Sequence, residues 1–323
     1  MVQNVGTAST RPAPLALDAA QRDAFKKHRS LWSNAWRQFK HHHLAVAGLI
    51  VFVSLVLTTY VGTMVYGKSK DFIDFSIMSS SFTRAHPLGT DSLGRDILAR
   101  MLWGGRISLA VGVVSATVAI ILGTVVGAIA GFFGGFADSL LMRTTDLFIS
   151  LPQVPLLLLV SFLFRDSIQS YFDRRFNNGE LGIFVLIVLV ISALSWMTTA
   201  RLVRASFLSI KEKEFVEASR SVGVGKASIV FKHILPNAMS PIIVAATLSV
   251  GSAIITESTL SFLGLGFPSD IPTWGAMLYE GRDRLQLAPH EALIPGTAIF
   301  ITVLAINYIG DGLRDALDPR KSQ

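Results

Sequence analysis

Six long stretches of the chain are apolar and nearly free of charge, and this pattern constrains the fold more than any other feature. A bilayer core is about 30 Å thick, so a helix that crosses it needs about 20 apolar residues. We therefore predict an all-α membrane protein with six transmembrane helices. The stretches are 44–66, 107–137, 147–164, 181–200, 241–262 (interrupted by Glu257) and 292–310.

The composition excludes a soluble globular domain. Hydrophobic residues make up 51% of the 323 residues and charged residues only 16%, with a mean hydropathy of +0.51. The absence of cysteine excludes a disulfide framework, a thiolate metal site and a cysteine nucleophile. The net charge of +7 is better explained by membrane orientation than by nucleic-acid binding, because basic residues mark the cytoplasmic side of membrane proteins.

The distribution of lysine and arginine predicts that both termini are cytoplasmic. With six spans, 18 of the 29 basic residues fall on the side of the termini and 11 on the other side, although the first outer loop runs against the rule. We divide the chain into an N-terminal tail, 1–43, a transmembrane domain, 44–312, and a C-terminal tail, 313–323. A cytoplasmic loop, 201–240, interrupts the transmembrane domain.

The N-terminal tail has two parts. Residues 1–20 are rich in Ala, Thr, Pro and Ser and predict disorder, whereas 21–43 alternates aromatic and basic residues. The second pattern is typical of an amphipathic helix on an anionic lipid leaflet. We interpret His41, His42 and His43 as a polar flank of the first span rather than a metal site, since three adjacent side chains cannot share one helical face.

Glycine and proline mark the second and third apolar stretches differently. Gly123, Gly127 and Gly131 are spaced four residues apart, which indicates a helix that another helix approaches closely. Pro152 and Pro155 interrupt the third stretch near its start. Such an interruption is either a simple kink, which we favour, or part of a pathway, because broken helices in membranes are buried or line a cavity.

Residues 214–236 have the pattern of two helices joined by a turn. Phe215, Ala218 and Val222 fall on one face of the first helix, and Gly223 and Gly225 supply the turn that follows. The second helix carries an apolar stripe and is predicted to end at Pro236, before the next span. Such a hairpin has to bury its apolar face, either on a partner or on its own membrane domain. The stripe consists of Ile229, Val230 and Ile234.

This hairpin resembles the EAA loop of ABC-importer permeases, which docks into a groove on a separate ATPase subunit. Ser219 stands where the loop has a second alanine and His233 where it prefers an aliphatic residue, and neither change opposes docking. The resemblance implies that the hairpin couples this chain to an ATPase. The residues that carry this role are Glu214, Glu217, Ala218, Ser219, Gly223, Leu235 and Pro236.

Other motifs, spread from about residue 40 to 320, resemble the C-type permease of the dipeptide/oligopeptide/nickel transporter family. This resemblance implies the type I ABC-importer permease fold, with a coupling-helix loop on the cytoplasmic side of a bacterial inner membrane. The motifs are His86-Pro-Leu-Gly-Thr-Asp-Ser-Leu-Gly-Arg-Asp96, Thr256-Glu-Ser-Thr-Leu-Ser-Phe-Leu-Gly-Leu-Gly266, Trp274-Gly-Ala-Met and Gly310-Asp-Gly-Leu-Arg-Asp-Ala-Leu-Asp-Pro-Arg320.

The family also implies partners: a homologous B-type permease, two cytoplasmic ABC ATPase subunits and an extracytoplasmic solute-binding protein. ATP and Mg²⁺ belong to the ATPase subunits, and we expect no cofactor on this chain and no enzymatic activity. Gly223-Val-Gly-Lys226 only superficially resembles a phosphate-binding loop. Arg220 and Ala227 occupy the positions where that loop requires Gly and Ser or Thr.

Charged residues before the second span have simple structural explanations. We expect residues 91–103 to form an amphipathic segment along the outer membrane surface. Two carboxylates such as Asp91 and Asp96 can form a metal site or an acid/base pair. Helix capping by Asp91 or Ser92 and pairing with a nearby arginine account for them more simply. The available partners are Arg95 and Arg100.

Two polar residues inside the spans are candidates for the substrate pathway. Glu257 is costly in a membrane, so it either acts on substrate or gating or is a buried structural partner. Asn307 is a weaker candidate, because a lone amide usually bonds a neighbouring helix.

The function predicted from these features is ATP-driven import of dipeptides or oligopeptides by alternating access. Nickel and glutathione-type compounds are the alternatives within the family. A proton-coupled secondary carrier using Glu257 would leave the hairpin at 214–236 unexplained. An intramembrane enzyme would require a nucleophile and base that the sequence does not contain.

Overall fold

A computed structural model of the protein describes residues 31–318, and its regular elements are helical. The predicted disorder at 1–20 and the first ten residues of the predicted amphipathic helix lie outside this range. The helices are α1 (Leu31–His41), α2 (His43–Val65), α3 (Ile97–Phe133), α4 (Gly135–Ser150), α5 (Gln153–Phe176), α6 (Gly179–Ala193), α7 (Trp196–Lys211), α8 (Glu214–Ser221), α9 (Lys226–Phe262), α10 (Trp274–Gly281) and α11 (His290–Ala316).

The helices account for the predicted spans, but two of the spans are bent pairs. Four unbroken helices, α2, α3, α9 and α11, are long and apolar enough to cross a bilayer. The pairs α4–α5 and α6–α7, bent by 87° and 43°, raise the number to six if each pair is one span. The all-helical membrane fold is therefore confirmed within residues 31–318.

The second span begins ten residues earlier than predicted, at Ile97 instead of 107. Asp96 caps α3, since its Oδ1 accepts a hydrogen bond of 2.9 Å from the backbone N–H of Ala99. The expectation that 91–103 lies along the membrane surface was wrong. Ile97 and Arg100 are each 1% exposed, because this segment packs against the rest of the protein.

Buried ion pairs hold the start of α3 against α10. The Arg95 side chain bonds Asp91 at 2.6 Å and Glu280 at 2.7 Å, and Arg100 Nη2 donates to Glu280 Oε2 at 2.9 Å. The predicted pairing of Asp91 with Arg95 is confirmed. The predicted capping by Asp91 or Ser92 was wrong, because Asp96 occupies that position.

The glycine ladder of α3 packs against α7, as the spacing predicts. A Cβ atom at Gly127 would lie 2.4 Å from the Ala200 carbonyl oxygen, and one at Gly131 would lie 2.7 Å from the Phe207 Cβ. The backbones approach so closely that only glycine fits. Helix α7 is therefore held tightly against α3.

The third apolar stretch is broken rather than kinked. Helix α4 ends at Ser150 and α5 starts at Gln153, with Pro152 between them. Pro152 has no N–H to continue a helix, and Leu151 before it is extended, as residues before proline usually are. The simple kink that we favoured was wrong, since the two helices lie at 87°.

The described part of the amphipathic N-terminal helix packs partly on the protein. Phe39 in α1 is 4% exposed and lies against the end of α11, whereas Trp36 is 54% exposed and available to lipid. His42 caps α2, because its Nδ1 accepts a hydrogen bond of 3.1 Å from the Ala45 N–H. Within residues 31–318, no group of three or more His, Cys, Asp or Glu residues is placed to hold a metal. Helix α11 continues to Ala316, past the domain limit predicted at 312.

Candidate functional site

The hairpin predicted at 214–236 consists of α8, a tight turn and the first turns of α9. The turn is a Schellman motif, in which the Val224 N–H donates to the Ser219 carbonyl at 3.1 Å and the Gly223 N–H donates to the Arg220 carbonyl at 2.9 Å. These bonds satisfy carbonyls that the end of α8 would otherwise leave free. The motif fixes the direction in which the chain leaves α8.

Gly223 is required by backbone conformation and not by space. Its φ of +82° lies in the left-handed region, and a Cβ there would meet nothing within 4 Å. Gly225, two residues on, has φ of −63° and equally open surroundings. Glycine is therefore needed at position 223 because of its backbone conformation, whereas position 225 can also hold a residue with a side chain.

Val216 anchors α8 to the membrane domain. Its side chain is fully buried in an apolar cluster that also holds Val203 and Phe207 of α7. The apolar stripe predicted on the second helix of the hairpin faces the same cluster, with Ile229 2% exposed and Ile234 fully buried. This stripe packs on the chain's own membrane domain, so α7, α8 and the start of α9 form one packed unit.

The other face of α8 is open. Phe215 is 43% exposed and Val222 is 84% exposed, and Ala218 between them is also exposed. Phe231, at the start of α9, adds another exposed aromatic ring at 68%. The predicted apolar face therefore exists and has no partner within residues 31–318.

Two carboxylates lie in the first turn of α8. Glu214 and Glu217 are both exposed, and in the part of the chain that the structure describes neither makes a hydrogen bond or ion pair through its side chain. Acidic residues are favourable there because the N-terminus of a helix carries a partial positive charge. Their side chains are free to bond a partner.

The second helix of the hairpin does not end at Pro236, so that prediction was wrong. Residues Ile229–Ile234 form a π-helical turn, and the Leu235 N–H donates to the Val230 carbonyl, five residues back. This wider turn accommodates Pro236, which cannot donate a backbone hydrogen bond. The Asn237 side chain donates to the His233 carbonyl at 2.6 Å. The hairpin and the fifth span are thus one continuous helix, Lys226–Phe262.

Glu257 lies in α9 with its side chain fully buried. Ser108 of α3 donates to its Oε2 at 3.1 Å, and Ser261 donates to its Oε1 at 2.8 Å. Ser108 Oγ also accepts from the Trp274 N–H at 3.2 Å. The carboxyl group therefore joins α3, α9 and α10, which is the structural role weighed for it in the sequence.

We expect Glu257→Gln to retain uptake within about twofold, since the amide keeps the shape and one hydrogen-bond acceptor. Glu257→Ala should lower the stability of the folded protein by about 2–3 kcal/mol, because two buried hydroxyls lose their partner. Uptake and thermal unfolding of the assembled transporter measure both effects. The same two substitutions at Glu180, an exposed residue at the start of α6, serve as controls. Lost uptake in Glu257→Gln with normal assembly would instead show a direct role for its ionisation.

Asn307, the weaker pathway candidate, lies on an exposed face of α11. Its side chain makes no hydrogen bond within residues 31–318. The structure therefore does not bring it together with Glu257, which is buried against α3.

A cavity that the sequence reasoning missed lies where the two bent spans break. It has a volume of about 230 Å³ and is lined from both sides of the α4–α5 and α6–α7 breaks, with α3 and α9 completing the wall. The available signal was serine at mid-span positions of otherwise apolar stretches. The polar residues in its wall are Ser115, Gln153, Ser195, Thr198, Ser249 and Ser252.

Comparison with known families decides the class of protein. Residues 123–323 match the family described as the inner membrane component of binding-protein-dependent transport systems, which is more than half of the chain. The chain belongs to this family. Residues 30–82 also match the N-terminal transmembrane domain of oligopeptide transport permease C. The permease is thus an OppC-type, multi-pass inner-membrane subunit, which confirms the resemblance seen in the motifs.

Individual relatives of this permease carry different names. It is 39% identical over 311 residues to the glutathione transport system permease protein GsiD of Pectobacterium atrosepticum, covering 96% of this chain and 97% of that one. It is 41% identical over 295 residues to the oligopeptide transport system permease protein OppC of Escherichia coli K12, covering 90% and 92%. The family is therefore established, and these relatives do not separate peptide from glutathione.

The fold also matches a solved ABC transporter. A structure described as inward-facing conformations of the MetNI methionine ABC transporter matches with a TM-score of 0.53 and 20% identity, covering 68% of this permease and 96% of that chain. At this identity the match concerns the fold alone. It confirms the predicted ABC-importer permease fold.

Proposed function

We propose that this permease imports peptides by alternating access, driven by two separate ABC ATPase subunits, one of which docks on α8. A homologous B-type permease completes the pathway, and an extracytoplasmic solute-binding protein delivers the cargo. The observation that carries the proposal is the open apolar face of α8, with Glu214 and Glu217 exposed beside it. An apolar face that is exposed in this way indicates a binding partner.

The packing around α8 supports its use as a rigid lever. Val216 fastens α8 to α7 and to the start of α9, so a movement of α8 carries both helices with it. Helix α7 is packed against the glycine ladder of α3, and α9 runs from the hairpin to Phe262 without interruption. For ATP to drive the change, α8 must bind the two states of the ATPase with different affinities.

The same proposal fixes the membrane orientation. Docking on a cytoplasmic ATPase puts 201–240 inside the cell, together with both termini. The excess of basic residues on that side agrees with this orientation. ATP and Mg²⁺ would then be held by the ATPase subunits, since the Gly223–Lys226 turn lacks the residues of a phosphate-binding loop.

Peptide is our preferred cargo, and glutathione is the second candidate because relatives of both names match along most of the chain. The decisive experiment reconstitutes the transporter and measures its ATPase rate with the cognate binding protein loaded with short peptides, glutathione or nickel. We expect peptides to stimulate ATP hydrolysis. Stimulation by glutathione or nickel alone would replace the peptide assignment while leaving the coupling proposal in place.

A further inference from the structure

Two breaks in the transmembrane helices face each other across the cavity. One lies at Leu151 and Pro152 between α4 and α5, and the other at Leu194 and Ser195 between α6 and α7. Gln153 bridges them, because its side-chain amide donates to the Leu194 carbonyl at 3.3 Å. Non-helical backbone at membrane depth is tolerated only where it is buried in protein or lines a cavity.

The cavity lies near the midpoint of α3 along its length. Ser115, in its wall, is the central residue of α3, which runs from Ile97 to Phe133. Ser252 enters the wall from α9, about 15 Å from the helix end at Phe262 at the usual rise per residue. A polar cavity away from the helix ends is suited to a polar substrate that crosses the membrane.

Three serine hydroxyls in the cavity wall have no hydrogen-bond partner within residues 31–318. Ser115, Ser195 and Ser252 belong to three different elements, and within residues 31–318 none of their side chains makes a hydrogen bond. Ser115 is fully buried, so its hydroxyl cannot be satisfied by bulk solvent. Ser249 differs, because its hydroxyl donates to the Ala245 carbonyl at 2.7 Å. Ser195 is half-buried and Ser252 is exposed, so Ser115 alone carries the cost of a buried hydroxyl without a partner. That cost points to a polar ligand beside Ser115.

The chemistry of the wall suits amide groups. None of the residues that line the cavity is ionisable, so it offers neither carboxylate nor imidazole to replace the water shell of a divalent cation. A hydroxyl both donates and accepts, as does a peptide bond with its N–H and C=O. Bonds to the peptide backbone do not depend on side-chain identity.

We propose that this cavity is a transit subsite in which Ser115, Ser195 and Ser252 hydrogen-bond the backbone amides of the cargo. The proposal rests on the proposed function and deepens it, because it assigns the subsite to amide-containing substrates and not to free metal ions. Bonds of this kind would let one path pass peptides of different sequence.

The first test replaces Ser115, Ser195 and Ser252 together by alanine in the reconstituted transporter. We expect uptake of trialanine or glutathione, whichever the wild type carries, to fall by about tenfold or more, since each hydrogen bond contributes up to about tenfold. Stimulation of the ATPase by the loaded binding protein should persist, because α8 is unchanged. Thr259→Val is the matched control, since that hydroxyl is bonded to the Ile255 carbonyl and lies outside the cavity wall. Unchanged uptake in the triple variant would overturn the proposal.

The second test needs no cargo and uses the absence of cysteine from the chain. Ser195→Cys and Ser252→Cys, each near in size to serine, are treated with a membrane-impermeant thiol reagent in the reconstituted transporter. We expect labelling at both positions that changes at least about fivefold between nucleotide-free and ATP-trapped states, which is the lower end of the usual coupling between two sites of a protein. Equal labelling in both states, or none, would overturn the transit role. If the wild-type transporter showed no ATP-dependent uptake, that result would instead contradict the proposed function.

Discussion

Replacing Glu217 and Gly223 together by alanine is expected to lower ATP-driven uptake at least about a hundredfold while the transporter still assembles. Alanine in the left-handed conformation of Gly223 costs about 1–2 kcal/mol, and loss of a charge-assisted bond from Glu217 to the ATPase costs about 1.5–3 kcal/mol. The Glu217 cost falls on the docked state, whereas the strain at position 223 is present with or without the ATPase. Relief of that strain changes the direction in which the chain leaves α8, so α8, held at Val216, no longer presents its exposed face in the docking orientation. Uptake and ATPase rate in proteoliposomes measure the effect.

The matched control is Glu212→Ala with Gly225→Ala, which removes one carboxylate and one glycine from the same segment. Glu212 is exposed, and Gly225 already has a negative φ with open space around it. We expect the control to transport within about twofold of the wild type, as surface substitutions away from special features usually do. Normal uptake in the assembled Glu217/Gly223 variant would contradict the lever mechanism.

Gly127→Leu is expected to prevent α3 and α7 from packing and to destabilise the permease by about 3 kcal/mol or more. A Cβ at this position would lie 2.4 Å from the Ala200 carbonyl oxygen, and backbone cannot move aside as a flexible side chain can. The thermal unfolding of the purified transporter in detergent, with the yield of assembled complex, measures the loss.

Val125→Leu is the control for this change, since Val125 lies on the same helix and is 52% exposed. It adds a methylene without touching α7, so the unfolding temperature should stay within the error of the wild type. If Gly127→Leu unfolded at the wild-type temperature, the close packing of α3 against α7 would not be needed for stability.

Features set by local pattern could be predicted from the sequence. Apolar runs near the length of a bilayer crossing identified the spans, and the spacing of Gly123, Gly127 and Gly131 identified a close helix contact. Gly223 was placed in a turn, where its positive φ explains why the position suits glycine. These features depend on neighbours in sequence, which periodicity reports directly.

Features set by tertiary contacts could not be predicted. Pro236 normally ends a helix, but a π-helical turn before it lets α9 continue, and packing of Ile234 against α7 holds that turn in place. The region around Arg95 looked like a surface segment, because its acidic partner Glu280 is 185 residues away. The cavity was missed because its wall combines residues from six helices, and no single stretch shows that they meet.

The most direct test of the central claim, that a separate ATPase drives this permease through α8, is uptake into vesicles that contain the assembled transporter and its binding protein. ATP and a proton gradient are supplied separately, with an uncoupler added in a parallel reaction. We predict that uptake follows ATP, survives the uncoupler and is lost in the Glu217/Gly223 variant. Uptake that follows the proton gradient without ATP would contradict the account and favour a secondary carrier.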